Sequence, residues 1–374
     1  MVRVVAAMSG GVDSSLAAAL LKQRGFEVIG VTLRLWSSGK RGEEQDDSGP
    51  CGSLAAVEEA RQVAHQLQVP FYELDLEREF SQGIISYFIN QYLRGKTPNP
   101  CVFCNSQLKF GSLLNQAREW GADYVASGHY ARVSYHPESG RYLLWRSPDP
   151  HKDQSYFLFN LSQEQLKHIL MPLGNMRKEE TRRLAGKLGL RVAHRPESQE
   201  ICFIPEGDYR QFLQGRDQGE IKPGKIRDLT GEIRGEHPGI AFYTIGQRRG
   251  LGIAARQPLY VVDLDRERNE VIVGEEKDLW CSELVAEQTR FIPFDSLSQE
   301  MEVLAKIRYQ HPGDLAWIGP LPDGRVRVRF AKPQRAITPG QAVVFYRKDM
   351  VVGGGIIASA GSGGDGQAEQ EKRN

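Results

Sequence analysis

The sequence predicts an α/β fold for the first half of the chain and mostly β structure for the second half. Between Arg3 and about Pro205, short β-rich runs alternate with longer runs of helical periodicity, which is typical of a parallel sheet covered by helices. After about Gly207, short β-like runs are separated by Gly and Pro, and few helical stretches remain. The chain therefore combines a parallel-sheet domain with smaller β domains.

This pattern divides the 374 residues into four segments. Residues 1–206 form the parallel-sheet domain, residues 207–277 a small central adaptor domain, and residues 278–360 a C-terminal β-barrel or sandwich, of which we predict the barrel. Residues 361–374 are a Gly-, Gln- and Glu-rich tail with almost nothing apolar to bury, so we predict disorder there. The polar, acidic residues 37–50 predict a mobile surface loop.

The individual elements follow from periodicity and from their capping residues. The predicted strands of the first domain are Val4–Met8, Val28–Leu35, Phe71–Asp75 and Tyr124–His129. The predicted helices are Ser14–Arg24, Leu54–Leu67, Glu77–Leu93, Asn105–Trp120 and Lys178–Leu188. In the second half, the predicted strands are Tyr260–Asp263, Val271–Val273, Val303–Arg308, Val326–Phe330 and Ala342–Tyr346.

Composition excludes several classes of protein. Hydrophobic residues make up 40% and charged residues 25% of the chain, which are ordinary values for a globular protein. No run approaches the ~18 consecutive apolar residues of a membrane span, and the first residues are too short an apolar run for a signal peptide, so we expect a cytoplasmic protein. The formal net charge is only +1, so any argument for nucleic acid must be local. The five cysteines favour reactive thiols over a disulfide framework.

A Gly-rich loop follows the first predicted strand and opens the first predicted helix. Its sequence is Ser9-Gly10-Gly11-Val12-Asp13-Ser14-Ser15. Glycines allow close backbone approach, and the free amides of a helix N-terminus together with Ser hydroxyls suit a phosphate. The loop has neither the Lys of a Walker loop nor the three spaced Gly of a dinucleotide fingerprint, so ordinary nucleotide triphosphatases and dehydrogenases are excluded.

Three cysteines stand in segments that could carry chemistry. Cys101 and Cys104 lie in the Pro-bounded segment Thr97–Asn105, which enters a helix whose N-terminus can depress a thiol pKa. Cys202 lies in the apolar run Ile201–Ile204. Taken singly, each cysteine can also be a small buried hydrophobic residue.

Together, these segments resemble the tRNA-specific 2-thiouridylases of bacteria and organelles, within the ATP pyrophosphatase superfamily. The resemblance runs through nearly the whole chain, and its motifs lie at residues 8–15, 97–100 with 104–105, 126–130, 152–157, 201–204, 243–248 with 250–252, and 338–341. It implies an adenine nucleotide α hydrolase-like fold for the first domain. It also implies an enzyme that splits ATP to AMP and pyrophosphate and replaces the 2-oxygen of the wobble uridine of tRNA with sulfur.

The resemblance also implies roles for individual residues. Asp13 would hold Mg²⁺ on the phosphates of ATP, and activation by adenylation would turn the uridine 2-oxygen into a leaving group. Cys202 would carry a persulfide, and Cys104 would attack it or the mixed species that follows, which leaves a Cys104–Cys202 disulfide to be reduced. A movement of residues 198–207 would bring the two thiols together. The residues implied for ATP binding are Ala7, Met8, Ser9, Gly10, Gly11, Val12, Asp13, Ser14, Leu33 and Gly128.

A further set of residues is implied to contact tRNA or its target base. It consists of Asn99, Pro100, Cys101, His129, Lys152, Asp153, Gln154, Arg308, Tyr309 and Gln341. For His129, a purely structural histidine remains the alternative. Residues 303–348 carry nine Lys or Arg against two Asp, and Arg325, Arg327 and Arg329 alternate as if along one strand face, which suits either phosphates or solvent.

Several alternatives stay open. Many relatives have Asp where this chain has Cys101, so its role is undecided, and Cys101, Cys104 and Cys202 could instead hold an iron–sulfur cluster. The rival activities are an amide-forming ligase such as GMP synthetase and a tRNA-binding module with a vestigial ATP site. The sulfur donor could be a cysteine desulfurase or a relay protein. Cys51 and Cys281 are expected to be incidental.

Overall fold

The computed structural model describes residues 1–36, 54–195, 201–204, 208–217 and 219–361. The chain divides into two compact units. The first consists of residues 1–86, 100–208 and 349–351, and the second of residues 87–99, 209–348 and 352–374. Cys51, the predicted loop 37–50, most of the segment 198–207 and the predicted tail beyond Gly361 lie outside the described residues. The predicted domain boundaries stay predictions.

The first unit contains seven strands and most of the helices. The strands are β1 (Arg3–Ala7), β2 (Glu27–Arg34), β3 (Phe71–Asp75), β4 (Tyr124–Ala126), β5 (Ala131–His136), β6 (Arg141–Arg146) and β7 (Ile169–Leu170). The helices begin with α1 (Val12–Gln23), α2 (Leu54–Gln66), α3 (Glu77–Glu79) and α4 (Ser86–Leu93), of which α4 continues into the second unit. They continue with α5 (Pro100–Phe103), α6 (Leu113–Glu119), α7 (Gln163–Lys167) and α8 (Lys178–Lys187).

Five of these strands form a parallel sheet in the order β3-β2-β1-β4-β7. The central strand β1 is fully covered, because Val4 and Val5 have no exposed surface. Leu16, which is also fully buried, belongs with Val4 to the cluster of apolar side chains that packs α1 on the sheet. The parallel-sheet prediction is therefore confirmed, although the strand predicted to reach His129 ends at Ala126.

A hairpin outside this sheet was not predicted from the sequence. Strands β5 and β6 pair antiparallel, and Tyr135 packs against Tyr142 across the pair, with the ring centroids 5.1 Å apart. Residues 349–351 also belong to the first unit, where Met350 pairs with Trp145 of β6. The hairpin therefore takes its last partner from a segment about two hundred residues further along the chain.

The second unit is mostly β. After helix α9 (Tyr209–Gln214), its strands are β8 (Gly224–Asp228), β9 (Ile233–His237), β10 (Tyr260–Asp265), β11 (Glu270–Gly274), β12 (Trp280–Phe291), β13 (Met301–Lys306), β14 (Asp314–Pro320), β15 (Val326–Arg335), β16 (Ala342–Arg347) and β17 (Met350–Ala360). The small middle sheet has the order β10-β11-β8-β9. Strands β12-β15-β14-β13-β16-β17 close on themselves through the pairing of β12 with β17, which confirms the predicted C-terminal barrel.

Two stretches of π-helix interrupt the helices of the first unit. Residues Phe80–Ile85 join α3 to α4, and residues Cys104–Ser112 join α5 to α6. In a π-helix, backbone carbonyls accept from the amide five residues further along instead of four. Two carbonyls of the second stretch, those of Ser106 and Phe110, also accept from the side-chain amide of Gln165, each at 2.7 Å. Gln165 therefore anchors the second π-helical stretch from α7. No helix of the described chain is long and apolar enough to cross a membrane.

Replacing Gln165 should destabilise the protein. Gln165→Leu leaves the carbonyls of Ser106 and Phe110 without this donor, so we expect the free energy of unfolding to fall by about 1–3 kcal/mol. Urea unfolding followed by circular dichroism measures this loss. The control is Gln62→Leu, because the exposed Gln62 amide donates to the Glu58 side chain on the same helix, and a change within about 0.5 kcal/mol is expected. Equal losses in the two variants would contradict the anchoring role.

Candidate active site

The Gly-rich loop between β1 and α1 is held by its own serines. The Ser14 hydroxyl accepts from the Ser9 amide at 3.1 Å and lies 3.2 Å from the Gly11 carbonyl, to which it donates. Gly10 adopts a φ of +72°, and a Cβ there would lie 2.5 Å from the Ala56 carbonyl oxygen. Any other residue at Gly10 would therefore push α2 away from the loop.

A cavity opens where this loop meets the ends of the parallel strands. Its lining residues are Ala7, Met8, Ser9, Asp13, Ser14, Val31, Thr32, Leu33, Lys109, Ser127, Gly128, His129 and Gln154. The chain leaves β1 for β2 on one side and later returns to β4 on the other, so the cavity lies at the point where the strand order reverses, which is where open α/β sheets bind ligands.

Seven of the ten residues predicted to bind ATP line this cavity. Gly10, Gly11 and Val12 are the three that do not, and Val12 instead faces the apolar core. Gly128 closes the floor from the end of β4, because a Cβ there would lie 2.6 Å from the Asp13 carbonyl carbon and 2.6 Å from the Ser14 nitrogen. The strand end and the loop backbone are therefore in direct contact.

Asp13 lies in a network of polar side chains. Both of its carboxylate oxygens are 2.8 Å from the Lys178 ammonium, and Oδ1 accepts from the Tyr130 hydroxyl at 2.8 Å. The Tyr130 hydroxyl also lies 2.9 Å from the Thr181 hydroxyl. Lys178 is 7% exposed and opens α8. The network fixes the direction in which the Asp13 carboxylate points.

The residues present fit a magnesium ion on bound phosphates. Among the described residues that line the cavity, Asp13 is the one acidic residue. Magnesium is commonly held by one or two carboxylates together with substrate phosphates and water, so this single carboxylate beside the Ser9 and Ser14 hydroxyls is an adequate protein ligand set.

Lys178 and Lys109 were not identified from the sequence. Lys178 begins a highly charged helix, Lys-Glu-Glu-Thr-Arg-Arg, in which nothing in the sequence distinguishes a lysine of a binding site from a surface lysine. Lys109 lines the cavity and follows Cys104 by five residues in the π-helical stretch, whose i to i+5 spacing has no counterpart in α-helical periodicity. Both lysines bring positive charge to the region of the predicted phosphates.

His129 is a neutral ring on the cavity wall. Its Nδ1 lies 2.8 Å from the Ser127 hydroxyl, and its ring packs 5.8 Å from the Phe110 ring, centroid to centroid. Burial, and secondly the charge of Lys109, lower the pKa of His129 to about 3. The ring is therefore uncharged at neutral pH and can offer hydrogen bonds and stacking to a base, but no charge.

The segment predicted to meet tRNA at residues 152–154 has divided roles. Asp153 is 6% exposed, accepts from the Ser147 and Ser155 amides, and lies 3.6 Å from the Arg146 guanidinium. Burial raises the pKa of Asp153, although its hydrogen bonds oppose the shift. Gln154 lines the cavity and accepts from the Tyr130 amide, whereas Lys152 is half-buried. Gln154 and His129 therefore share a cavity with the predicted ATP residues.

Cys101 and Cys104 lie in helical residues, whereas Cys202 lies in a turn. Pro100 occupies the first helical position, which its fixed φ favours, so Cys101 already lies in α5 and Cys104 opens the π-helical stretch. Cys104 is 8% exposed, and Cys101 and Cys202 are half-buried. Phe203, beside Cys202, packs edge-on against Phe80 with the ring centroids 5.5 Å apart. The stretch that contains Phe80 packs against the helix of Cys104, so all three thiols lie in one region of the first unit.

The cysteines of the described chain, Cys101, Cys104, Cys202 and Cys281, are all in the thiol form. Nowhere among the described residues do three His, Cys, Asp or Glu side chains come together as metal ligands. Cys101, Cys104 and Cys202 are therefore not assembled as a cluster site in this structure.

The remaining candidates for tRNA contact lie in the second unit, with Pro100 and Cys101 in the first. Gln341 donates from its side chain to the Thr97 carbonyl at 3.0 Å, which holds the segment leading to Asn99. Arg308 donates to the Arg335 carbonyl at 3.2 Å, and the Lys306 ammonium lies 5.8 Å from the centre of the Tyr309 ring.

The predicted basic character of the barrel is weaker than its sequence indicates. Arg325 precedes the strand, instead of lying on it, and pairs with Asp323. Arg329 pairs with Glu300 and Arg335 with Glu276, both of which lie outside the window that was counted. Of the three alternating arginines, Arg327 and Arg329 project from the exposed face of β15.

Three family models match the chain in order. Residues 2–206 match the tRNA methyl transferase HUP domain, residues 210–275 the tRNA methyl transferase PRC-barrel domain, and residues 281–357 the aminomethyltransferase beta-barrel domain. The chain is 55% identical over 355 residues to tRNA-specific 2-thiouridylase MnmA 1 of Caldanaerobacter subterraneus subsp. tengcongensis, covering 95% of this chain and 97% of that protein. It belongs to the tRNA-specific 2-thiouridylase family.

Other members of the 2-thiouridylase family are almost as similar. The MnmA protein of Moorella thermoacetica is 53% identical, covering 94% of this chain and 98% of that protein. The MnmA protein of Acetivibrio thermocellus is 51% identical, covering 95% of this chain and 99% of that protein. Among solved structures, a 4-thiouridine synthetase in complex with RNA and ATP aligns with a TM-score of 0.34 at 15% identity, covering 57% of this chain and 50% of that chain.

Adding a methyl group at Gly128 should weaken nucleotide binding. The Cβ of Gly128→Ala would collide with the backbone of Asp13 and Ser14, so the loop must shift, and we expect the affinity for Mg·ATP to fall about tenfold or more. Isothermal titration calorimetry measures this loss. Gly186→Ala is the control, because a Cβ there meets nothing within 4 Å. Wild-type affinity in Gly128→Ala would refute the placement of the nucleotide.

Acidification should destabilise the protein partly through His129. The folded pKa of about 3 lies below the ordinary 6.5, so between these values the unfolded chain binds a proton here that the folded chain does not, and stability falls as the pH falls. From pH 7 to pH 5 the free energy of unfolding should fall by about 1–2 kcal/mol less in His129→Gln than in the wild type, as measured by urea unfolding. His65→Gln, at an exposed position on α2, is the control. Parallel losses in all three proteins would contradict this account.

Proposed function

We propose that this chain is an ATP-dependent enzyme that replaces the 2-oxygen of the wobble uridine of tRNA with sulfur. The observation that carries the proposal is the cavity at the reversal of strand order. There the Ser-Gly-Gly loop, the Asp13 carboxylate and the neutral His129 ring come together, in a chain that belongs to a family named for this reaction. An anionic nucleotide and an uncharged base are the two ligands that such a cavity suits.

The phosphates of ATP would lie against the loop from Ser9 to Ser14. The hydroxyls of Ser9 and Ser14 and the backbone around Gly11 would donate to them, and Asp13 would hold magnesium, which neutralises phosphate charge when bound. Lys178 is already 2.8 Å from Asp13, so it is placed to orient that carboxylate. Leu33 and Met8 offer apolar contact for the adenine.

The base would be activated at the same cavity. Transfer of the adenylyl group to the uridine 2-oxygen releases pyrophosphate and leaves AMP attached as a leaving group. His129 and Gln154 are placed to contact this base, and a uridine drawn from the single-stranded anticodon loop reaches a cavity at a lower cost than one drawn from a duplex.

Sulfur would come from a persulfide on Cys202. Its outer sulfur attacks carbon 2 and AMP leaves. The Cys104 thiolate then attacks the inner sulfur, which forms a Cys104–Cys202 disulfide and releases 2-thiouridine. A thiol reductant must then restore both cysteines, and a cysteine desulfurase or a sulfur-relay protein must recharge Cys202. The thiol forms of Cys104 and Cys202 in one region of the first unit support this sequence of steps.

The test is nucleoside mass spectrometry on a tRNA with a wobble uridine. Anaerobically purified wild type with ATP, magnesium and a cysteine desulfurase plus cysteine should yield 2-thiouridine and AMP. Cys202→Ser and Cys104→Ser should yield none, whereas Cys281→Ser, at a thiol of the second unit, should resemble the wild type.

Other outcomes would reject parts of the proposal. In a parallel reaction that also contains a methyl donor, a methylated instead of a thiolated nucleoside would support the activity named in two of the family-model descriptions. Thiolation that persists in Cys202→Ser with free sulfide would replace the persulfide by direct sulfide delivery. AMP formation with an amine acceptor, but no thiolated tRNA, would favour an amide-forming ligase.

A further inference from the structure

A turn in the second unit carries two exposed arginines that the proposed mechanism does not use. The turn spans residues 244–250, and the Gln247 side chain braces it by accepting from the Thr244 amide at 3.2 Å and donating to the Arg249 carbonyl at 2.9 Å. Gly246 and Gly250 adopt φ values of +87° and +74°. The backbone is therefore fixed from within, while Arg248 and Arg249 project into solvent.

The turn rests directly on the beginning of the barrel. Ile245 packs against a small apolar cluster of Tyr260, Leu279 and Ala336. A Cβ on Gly246 would lie 2.9 Å from the Ala336 Cβ, so the Gly246 backbone packs against the Ala336 side chain. The turn therefore cannot move independently of the ends of β12 and β15.

An exposed tryptophan lies at the same end of the barrel. Trp280 pairs with Arg335 across β12 and β15, so their side chains leave the same face, and Trp280 is 51% exposed. The Arg335 guanidinium lies 5.3 Å from the centre of the Tyr260 ring and pairs with Glu276. The Trp280 ring is therefore an exposed aromatic surface at this end of the barrel.

The charges of the turn are not balanced by carboxylates. Within the described part of the chain, each of Arg325, Arg329 and Arg335 has an acidic partner, but no ion pair involves Arg248 or Arg249. Two uncompensated guanidinium groups on a braced turn can contact adjacent phosphates at little entropic cost, and an exposed indole at the same end of the barrel can stack on an unpaired base.

We propose that Arg248, Arg249 and Trp280 form a second RNA-binding surface, here termed the turn–barrel surface. The two arginines bind phosphates of the tRNA backbone, and Trp280 stacks on a base or ribose of the same RNA. This inference rests on the proposed function, since it takes tRNA as the substrate. It adds to the predicted contacts at Arg308, Tyr309 and Gln341 a surface that joins the middle sheet to the barrel.

The test measures tRNA affinity as a function of salt with the full chain. Each lost phosphate contact should reduce the slope of log affinity against log salt by about 0.7–0.9, so Arg248→Gln/Arg249→Gln should lower it by about 1.5. Trp280→Ala should weaken binding about fivefold or more without changing the slope, because stacking is not ionic. Arg266→Gln, an exposed arginine in the turn between β10 and β11, is the matched control and should leave affinity and slope unchanged.

The outcomes separate this inference from the proposed function. A wild type that thiolates tRNA, together with variants that keep its affinity and salt slope, would overturn the surface and leave the activity standing. An equal loss of salt slope in Arg266→Gln would also overturn the turn–barrel surface, because any exposed arginine would then contribute equally to tRNA binding. A wild type that does not bind tRNA would overturn both. Each variant should unfold thermally with the same midpoint as the wild type, which shows that its fold is intact.

Discussion

The contact between the end of β4 and the loop after β1 governs the candidate active site. A strand end and a loop can approach this closely only if no side chain lies between them. Gly128 has no side chain where it meets the loop, and Gly10 has none where the loop meets the backbone of α2. The loop is therefore held between two backbone surfaces. The direction of Asp13, and through it the positions of Lys178 and Tyr130, follow from this arrangement.

The cavity wall carries both charged and neutral polar groups. The loop end has one carboxylate, hydroxyls and backbone amides, with Lys178 behind them, and Lys109 stands further along the wall. Ser127, His129 and Gln154 add neutral polar groups, because burial and the charge of Lys109 keep the His129 ring neutral. This combination suits a ligand that has phosphates at one end and a neutral ring at the other.

Strand periodicity was sufficient for the parallel sheet and the barrel, and the Ser-Gly-Gly loop for one side of the cavity, because both are local signals. The other predicted lining residues, among them Gly128 and His129, were implied by the family resemblance. The sequence was insufficient where a feature depends on strand pairing or ion pairing between residues far apart along the chain. The β5–β6 hairpin takes a partner from residues 349–351, and the basic window around Arg329 overlooked carboxylates such as Glu300 that fold against it. The π-helical stretch that carries Cys104 and Lys109 was also missed, because its wide turn has no counterpart in the 3.6-residue period used to find helices.

Both compact units are built from separate stretches of chain, and this affects how the protein can be synthesised. Residues 87–99 leave the first unit for the second, and residues 349–351 return to the first from near the end of the chain. During translation, the outer edge of β6 stays unpaired until Met350 has been synthesised. This edge can therefore pair with other chains while most of the barrel is being synthesised. A fragment cut at residue 208 would keep that edge permanently open. Neither unit can therefore be produced as one uninterrupted piece.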